Sequence, residues 1–270
     1  VAVATPPLVG GVAAGCGEAL GTVGACRGPL VAVLLMFSWA NDFHAIFGVA
    51  VIPAVLSIAL LGFGLQEPKS AIAHKRSNPL KRENLKKLSA AYWWVVAIGS
   101  IFTLARFSEA FLVLRAQQME IPLFTIPLVM VAMNLVYSLT AYPFGKLSDS
   151  MSHSKLLQWG LLVLILADIV LALSDHWSTL LIGVALWGIH MGMTQGLLAA
   201  MVAHTAPPAL RGTAFGRFNL RGGRSLLRAS TGAGILWESF GAASTFYAGA
   251  VICLLTLIGM RCMPSAYRQG

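Results

Sequence analysis

The stretch from Leu156 to Leu173 reads LLQWGLLVLILADIVLAL and holds a single charged side chain, Asp168. About 20 mostly apolar residues are needed for a helix to cross the hydrocarbon core of a bilayer. Backbone groups in lipid must be satisfied within the segment, so this run predicts a helix and not a strand. Seven further runs are similar: Thr22 to Ala40, Ala45 to Leu65, Ala91 to Leu114, Pro122 to Tyr142, Leu180 to His204, Thr213 to Trp237 and Ser244 to Met260. The sequence predicts an all-α membrane protein, a polytopic helical bundle of about eight transmembrane helices.

The composition of the 270 residues excludes several classes of protein. Apolar residues make up 57% of the chain, charged residues 11%, and the mean hydropathy is +0.76. Soluble globular proteins carry about 25% charged residues, so a soluble enzyme, a disordered tail and a nucleic-acid-binding module are excluded. The net charge of +9 then indicates a lipid bilayer, and no nucleic acid, as the partner. The cysteine spacing fits no metal site and no nucleotide-binding or hydrolase motif occurs, so we expect no metal, cofactor or enzyme activity.

Lysine and arginine are distributed unevenly between the expected loops. Residues 66–90 contain seven of them, whereas the turns near Asn41, Ser174 and Ser239 contain none. Because translocation of positive charge is resisted, the basic segment is expected to be cytoplasmic. Alternation of the helices then places both termini in the cytoplasm. We expect a multi-pass protein of a bacterial inner membrane.

A weak internal repeat relates the two ends of the chain. The segment Phe47 to Leu61 (FGVAVIPAVLSIALL) resembles Phe246 to Met260 (FYAGAVICLLTLIGM). Parallel repeats of this kind occur in transporters. The repeat predicts that residues 1–65 are the end of an N-terminal half, with its last two helices, and that 66–90 is a linker. Residues 91–262 are then a C-terminal half of six helices, and 263–270 a cytoplasmic tail.

One short motif lies between the fourth and fifth expected helices. The segment Gly145-Lys-Leu-Ser-Asp149, followed by Lys155, resembles the G-x-x-x-D-[RK]-x-G-[RK] loop of the major facilitator superfamily, although Ser150 stands where a basic residue is usual. A carboxylate at Asp149 can bind the exposed N–H groups of the following helix. Such a latch closes on one side of the membrane and breaks on the other. An ordinary polar turn at the lipid interface is the alternative.

A second motif extends the resemblance. The stretch from Pro207 through Arg211 and Gly212 to Gly216 is similar to the P-x-x-x-R-G-x-x-x-G element before helix eleven in drug-efflux-like bacterial members of that superfamily. The resemblance implies a partial major-facilitator fold, roughly helices five to twelve. It also implies alternating access and transport of a small solute coupled to protons or another ion, with efflux of a drug or metabolite as one form. The expected cytoplasmic gate consists of Gly145, Asp149, Lys155, Arg211 and Gly212.

Ionisable residues within the apolar runs are the next candidates, since each is costly unless it lines a cavity or has a partner. Arg106 and Glu109 lie three apart and are expected to share one face of a continuous helix. Their pairing allows two interpretations, a self-neutralised structural pair or a proton-coupling pair, and the resemblance places this helix along the central cavity. Asp168 is a weaker candidate, because its helix resembles the peripheral ninth and it is expected to reach water at the outer surface.

The run from Leu180 to His204 carries Gly188, Gly192 and Gly196 at every fourth position. This spacing predicts a smooth strip against which another helix packs closely. By resemblance the helix is the tenth, which lines the pathway. For His190 a structural role, as a hydrogen-bonded residue, is as plausible as a role in binding a proton or a ligand. For Asn134 the alternative to a place in the path is a hydrogen bond that joins two helices. The expected substrate path is Asn134, Trp187, His190, Met193 and Gln195.

Four arginines, at positions 217, 221, 224 and 228, are the anomaly of the sequence. At about 100° per residue they fall within an arc of about 60° on one helix face. Insertion scales assign about 2.5 to 3.5 kcal/mol to each arginine at the membrane centre, so lipid cannot be their neighbour. Three interpretations stay open: a basic stripe for an anionic substrate, a voltage-sensor-like array, or a degraded copy of the helix. The set is Arg217, Arg221, Arg224 and Arg228.

Together these patterns predict a secondary active transporter that moves a small solute by alternating access, with coupled protons. The alternative is a truncated or degraded membrane protein that transports nothing, or a partner subunit of another protein. A third hypothesis, an anion channel, depends on the arginine stripe alone. The sequence does not specify the solute, the direction or the coupling ion.

Overall fold

The computed structural model describes residues 10–39, 42–64, 88–119 and 121–261, and the regular elements within these ranges are all helical. Two short 3-10 turns, Leu123–Thr125 and Pro208–Leu210, separate longer helices. The α-helices of the described residues are α1 (Gly10–Ser38), α2 (Phe43–Gly64), α3 (Ala90–Ala105), α4 (Ala110–Gln117), α5 (Leu128–Ser150), α6 (His153–Ala172), α7 (Trp177–Thr205), α8 (Arg211–Phe240) and α9 (Ala242–Arg261).

The predicted fold class is confirmed, because each of the eight apolar runs coincides with helical structure. Within the described residues six helical segments are long and apolar enough to cross a membrane: Phe43–Leu60, Ala90–Gln117, Leu123–Ser150, His153–Ala172, Trp177–Thr205 and Ala242–Met260. α1 begins before the predicted run and contributes a shorter apolar stretch, Gly24–Ser38. α8 is not among the six, since its first half carries the arginines. The expected linker lies outside the described residues except for 88–90, and the expected tail lies outside them entirely.

Local chemistry sets where several helices begin and end. Ser89 caps α3, because its hydroxyl accepts a hydrogen bond from Tyr92 N at 3.1 Å. α8 and α9 are separated by Gly241 alone, whose φ of +84° is a left-handed conformation that glycine adopts without a steric penalty. Gly241 thus connects α8 to α9 within a single residue.

The two ends of the bundle are tied by polar contacts between different helices. At one end Ser89 Oγ donates to Thr205 O at 3.2 Å, and the Tyr92 hydroxyl donates to Ala214 O at 3.0 Å. The start of α3, the end of α7 and the start of α8 therefore meet. At the opposite end Arg115 of α4 donates to the carbonyls of Leu171 and Ser174, at 3.3 and 2.6 Å. The directions of the helices agree with the alternation that the charge pattern predicts.

The main hydrophobic core joins α3 to α7 and includes α9, with side chains such as Leu161, Leu164 and Trp187 fully buried. α1 packs along α5, where Cys26 Sγ lies 4.0 Å from Val131 O and the rings of Phe37 and Phe124 are 5.7 Å apart. α2 lies at the edge, and no residue of its apolar window is buried. Such an apolar, uncovered helix surface is suited to contact with lipid.

Glycines permit a close helix contact in the core, between α5 and α7. A Cβ atom at Gly188 would stand 2.6 Å from Met133 O and 3.1 Å from Val136 Cβ. A Cβ atom at Gly192 would meet the hydroxyl of Thr140. The predicted packing strip is therefore present at these two glycines, and it faces α5.

The close approach predicts the effect of one methyl group. Gly188→Ala is expected to lower the free energy of unfolding by about 1 to 3 kcal/mol, since α5 and α7 must separate to admit it. Gly234→Ala in α8 is the control, because a Cβ atom there meets open space. Thermal unfolding of the purified protein in detergent compares the two, and equal melting temperatures would contradict the close contact.

Candidate functional site

The third apolar run is interrupted by a break between α3 and α4, at residues 106–109. Arg106 ends α3 with φ −102° and ψ 81°, outside helical geometry. Its N–H still donates to Phe102 O at 3.1 Å. The N–H of Ser108 donates to the hydroxyl of Ser230 in α8 at 3.2 Å, and Ser108 Oγ accepts from Ala110 N at 3.3 Å. A break in a membrane helix is tolerated when such partners replace the lost helical hydrogen bonds.

The break corrects one expectation. Arg106 and Glu109 do not lie on a continuous helix, because Ser108 offers the backbone a hydrogen bond that competes with the helical one. They still form an ion pair, with Arg106 Nη2 and Glu109 Oε1 3.3 Å apart. Their side chains are 21% and 31% exposed, so the pair is neither sealed in the core nor fully solvated.

A third predicted residue joins this pair. The other guanidinium nitrogen of Arg106, Nη1, donates to Gln195 Oε1 of α7 at 2.5 Å. Arg106 thus bridges a carboxylate on its own break and an amide on a different helix. Hydrogen bonds that involve a charged donor are about twice as strong as neutral ones. We call Arg106, Glu109 and Gln195 the coupling cluster.

His190 and Trp187 lie deeper than the coupling cluster and are fully buried. The imidazole of His190 contacts the rings of Trp187 and Phe102, with centroids 5.3 and 6.4 Å away. Neither nitrogen of His190, nor Trp187 Nε1, has a hydrogen-bond partner among the described residues. Two aromatic rings contact the imidazole, and the structural and functional interpretations of His190 both stay predictions.

Two other expected path residues are placed elsewhere. Asn134 Nδ2 donates to Met130 O at 2.8 Å, within its own helix. Met193 is buried and lies against α6, where its Cβ is 3.6 Å from the position of a Cβ atom at Gly160. The described contacts do not bring either residue to the coupling cluster. Their contact with a solute stays a prediction.

The expected gate motif has a different local structure from the loop that we expected. α5 continues through Gly145 to Ser150, and Gly145 O accepts from Ser148 Oγ at 2.7 Å, so the motif is the final turns of a helix. The chain turns only at Met151, in extended geometry, and Ser152 precedes α6. Gly145 is the one glycine of this segment, and it costs a helix only about 1 kcal/mol relative to alanine, so it does not by itself end α5.

The charged members of the expected gate lie near the surface. Asp149 and Lys155 are exposed, on the last turn of α5 and the first turn of α6. Arg211 is the first residue of α8, half-buried, and Gly212 beside it has open space around its Cα. Their position at helix ends is compatible with a latch. The gating role stays a prediction.

The arginine stripe lies on a surface of α8 that the described helices leave largely uncovered. Arg221, Arg224 and Arg228 are exposed, and Arg217 is half-buried. The guanidinium of Arg221 stacks over the ring of Trp93 at 5.1 Å, which satisfies part of its charge by a cation–π contact. The stripe does not face the hydrophobic core. No group of three or more potential metal ligands occurs among the described residues.

Asp168 and Ser108 are the residues that the sequence analysis placed wrongly or missed. Asp168 does not reach outer water, since it is fully buried between helices. The sequence does not single out Ser108 and its partner Ser230, although the segment RFSE, with three polar residues inside an apolar run, is a usable signal for a break. The serine that binds the backbone of the break is 122 residues away in the sequence, so only the folded structure identifies it.

Comparison with known proteins agrees with this architecture. A family model described as Major Facilitator Superfamily matches residues 4–219 and 110–268. An uncharacterized MFS-type transporter of Methanocaldococcus jannaschii is 28% identical over 249 residues, which is 90% of this chain and 61% of that protein. An arabinose-proton symporter of Bacillus subtilis is 38% identical over 69 residues, 26% of this chain and 15% of the symporter. The chain thus spans less than two thirds of the length of either relative.

The bridge made by Arg106 predicts a stability effect. Gln195→Met keeps the side-chain length and removes the acceptor, so it is expected to cost about 1.5 to 3 kcal/mol of unfolding free energy. Gln118→Met is the control, because Gln118 accepts from Arg115 at 2.9 Å on the exposed edge of the bundle, where a charged contact contributes about 0 to 1 kcal/mol. Equal melting temperatures for the two variants would show that the bridge contributes nothing.

Proposed function

Because the chain belongs to the Major Facilitator Superfamily, we propose that it acts as a secondary active transporter that moves a small solute by alternating access, coupled to protons. The family and the six membrane-spanning segments make it a multi-pass membrane protein. The coupling cluster is the observation that carries the proposal. It places a carboxylate, a guanidinium and an amide at a helix break inside an apolar span.

The geometry of the coupling cluster supports a proton-linked switch. Discontinuous helices are typical of binding sites in transporters, and an intramembrane ionisable residue is by default a functional candidate. Protonation of Glu109 removes its charge and weakens its hold on Arg106. Arg106 then interacts with Gln195 or with a solute group that competes for the same nitrogens. Loss of the proton restores the ion pair and expels the competitor.

Further parts of the proposal follow from the family and the charge pattern. Trp187, His190 and Met193 in α7, with Asn134 in α5, line the path in another conformation, while the gate motif closes the cytoplasmic end. Residues 66–90 and both termini lie in the cytoplasm, with the protein in a bacterial inner membrane. The arabinose-proton symporter supports proton coupling over a quarter of the chain. Efflux of a drug or metabolite is the direction that the motif before α8 favours.

The exposed arginine stripe favours a second candidate function, the passage of an anionic solute. Exposed cations on one helix face attract anions electrostatically, and their field falls off with salt. Arg224→Leu with Arg228→Leu separates this function from a degraded helix. The anion function predicts loss of anion flux in proteoliposomes at unchanged expression. Improved membrane insertion with unchanged flux would remove it, and ohmic anion current without proton movement would indicate a channel.

The proton-linked switch predicts the phenotype of one isosteric change. Glu109→Gln keeps the shape of the side chain and one acceptor oxygen but has no carboxylate that could bind a proton, so solute-driven proton movement is expected to be abolished at normal expression. Vesicles loaded with a pH-sensitive dye measure it, with arabinose and ethidium as probes of sugar and drug transport. Glu238→Gln, an exposed residue near the end of α8, is the matched control.

Two outcomes would contradict this account. Full coupled transport in Glu109→Gln would remove Glu109 from the proton path. Probe flux in wild type without any proton movement would remove proton coupling altogether. An absence of flux for every probe would favour the alternative of a membrane protein that transports nothing by itself or serves as a partner subunit.

A further inference from the structure

Asp168 is a buried acid without a visible partner. It lies near the C-terminal end of α6, four residues before Ala172, and is 0% exposed. Neither of its carboxyl oxygens has a hydrogen-bond partner among the described residues. An ionised carboxylate in such surroundings is strongly disfavoured unless a cation or several donors face it. Its burial therefore requires an explanation that the coupling cluster does not provide.

A small space beside Gly249 brings Asp168 to the helix break. A Cβ atom at Gly249 would stand 2.7 Å from Asp168 Oδ2, 3.3 Å from Ala105 O and 3.1 Å from Phe107 Cε1. The carboxyl of α6 and the backbone carbonyl of α3 thus approach the same point, which only the glycine of α9 leaves open. Three elements of the bundle meet there.

Ala105 supplies an acceptor. It is the last residue of α3, and the final carbonyls of a helix have no N–H from a following turn to accept. A carboxylate carries acceptors only, so two groups of the same kind would face each other across the space. A neutral carboxylic acid has one O–H donor. That O–H can supply the hydrogen bond that the carbonyl of Ala105 does not receive from its own helix.

We propose that Asp168 is a second proton-binding site, in which its carboxylic acid donates a hydrogen bond to Ala105 O and fastens the end of α3 to α6 and α9. Loss of the proton leaves a carboxylate that accepts hydrogen bonds only and repels the carbonyl, which releases the break beside Arg106. The O–H bond of the acid breaks when the proton passes to a water molecule, its electron pair stays on the carboxyl oxygen, and the bond forms again when the proton returns. The consequence for transport rests on the proposed function, but the protonation of Asp168 does not.

The surroundings of Asp168 contain few groups that compete for this proton. Cys253 in α9, one turn after Gly249, interacts with it electrostatically. Arg115 in α4 does not bind Asp168. Its guanidinium donates to the carbonyls of Leu171 and Ser174, which follow Asp168 in the chain at the end of α6. The titratable or charged residues on the elements packed around it are Tyr247, Cys253 and Arg261 in α9, His190 and His204 in α7, Arg115 in α4, Tyr92 in α3, and Arg106 and Glu109 at the break.

Infrared spectroscopy of the whole chain in lipid tests the proposal without any transported solute. A protonated carboxyl gives a C=O stretching band that is distinct from carboxylate and amide bands. The wild type is expected to show this band at neutral pH, where exposed carboxylates are ionised, and to lose it as the pH is raised. Asp168→Asn is expected to abolish the band, and Glu109→Gln to keep it. A neutral-pH band that Asp168→Asn leaves unchanged, or no band in the wild type, would overturn the proposal.

A second pair of variants tests the hydrogen bond itself. Gly249→Ala places a methyl group against both the acid and Ala105 O and forces them to shift, so it is expected to move the band to the frequency of a more weakly bonded acid. Gly259→Ala, in the same helix with open space around it, is expected to leave the band in place. An identical band in both alanine variants would overturn the contact between the acid and Ala105 O. This comparison does not require Asp168→Asn, so it remains decisive if that variant is unstable.

The melting temperature gives a readout of the released state. Because the hydrogen bond exists only with the proton bound, its contribution is present at low pH and lost as the pH rises through the titration of the acid. The wild type is expected to melt at a lower temperature once the infrared band has gone, whereas Asp168→Asn, whose amide still donates to Ala105 O, is expected to show no such step. The same step in both proteins would overturn the fastening role. A failure of coupled transport alone would overturn only the proposed function.

Discussion

The requirement that every backbone polar group in a membrane find a partner is the constraint on which this structure depends. The chain breaks a spanning helix at residues 106–109, and the break persists because Ser108 and Ser230 supply the missing partners. Without the break, Arg106 would lie on a regular helix face. With it, the guanidinium reaches both Glu109 and Gln195, and the last carbonyl of α3 lies beside Gly249, as does the buried carboxyl of Asp168.

Close helix packing makes this polar arrangement compatible with an apolar bundle. Gly188 and Gly192 let α7 approach α5, and Gly249 leaves room for Asp168 beside Ala105. The aromatic rings of Phe102 and Trp187 pack against His190, and the ring of Phe107 packs against Trp187. The charges that are not packed in this way, those of the arginine stripe, remain on the outer face of α8. The coupling cluster is therefore partly exposed, whereas Asp168, Trp187 and His190 are fully buried.

The sequence predicts the helices well because length and apolar content alone decide them. It fails where two distant residues decide the outcome. The spacing of Arg106 and Glu109 fits a continuous helix, and the serine that stabilises the break lies 122 residues away. Asp168 was expected to reach water, but its environment depends on which face of α6 receives α9. Gln195 was predicted as a path residue without its partner Arg106, since sequence does not give the rotation of one helix against another.

The central claim is that residues 106–109 form a water-accessible switch and not a sealed structural pair. Hydrogen–deuterium exchange of the whole chain in lipid nanodiscs, read by mass spectrometry, tests this most directly. The account predicts that a peptide covering the break exchanges much faster than the neighbouring buried segment from Val95 to Phe102. Equal protection of the two segments would show that water does not reach the break, and it would contradict the account.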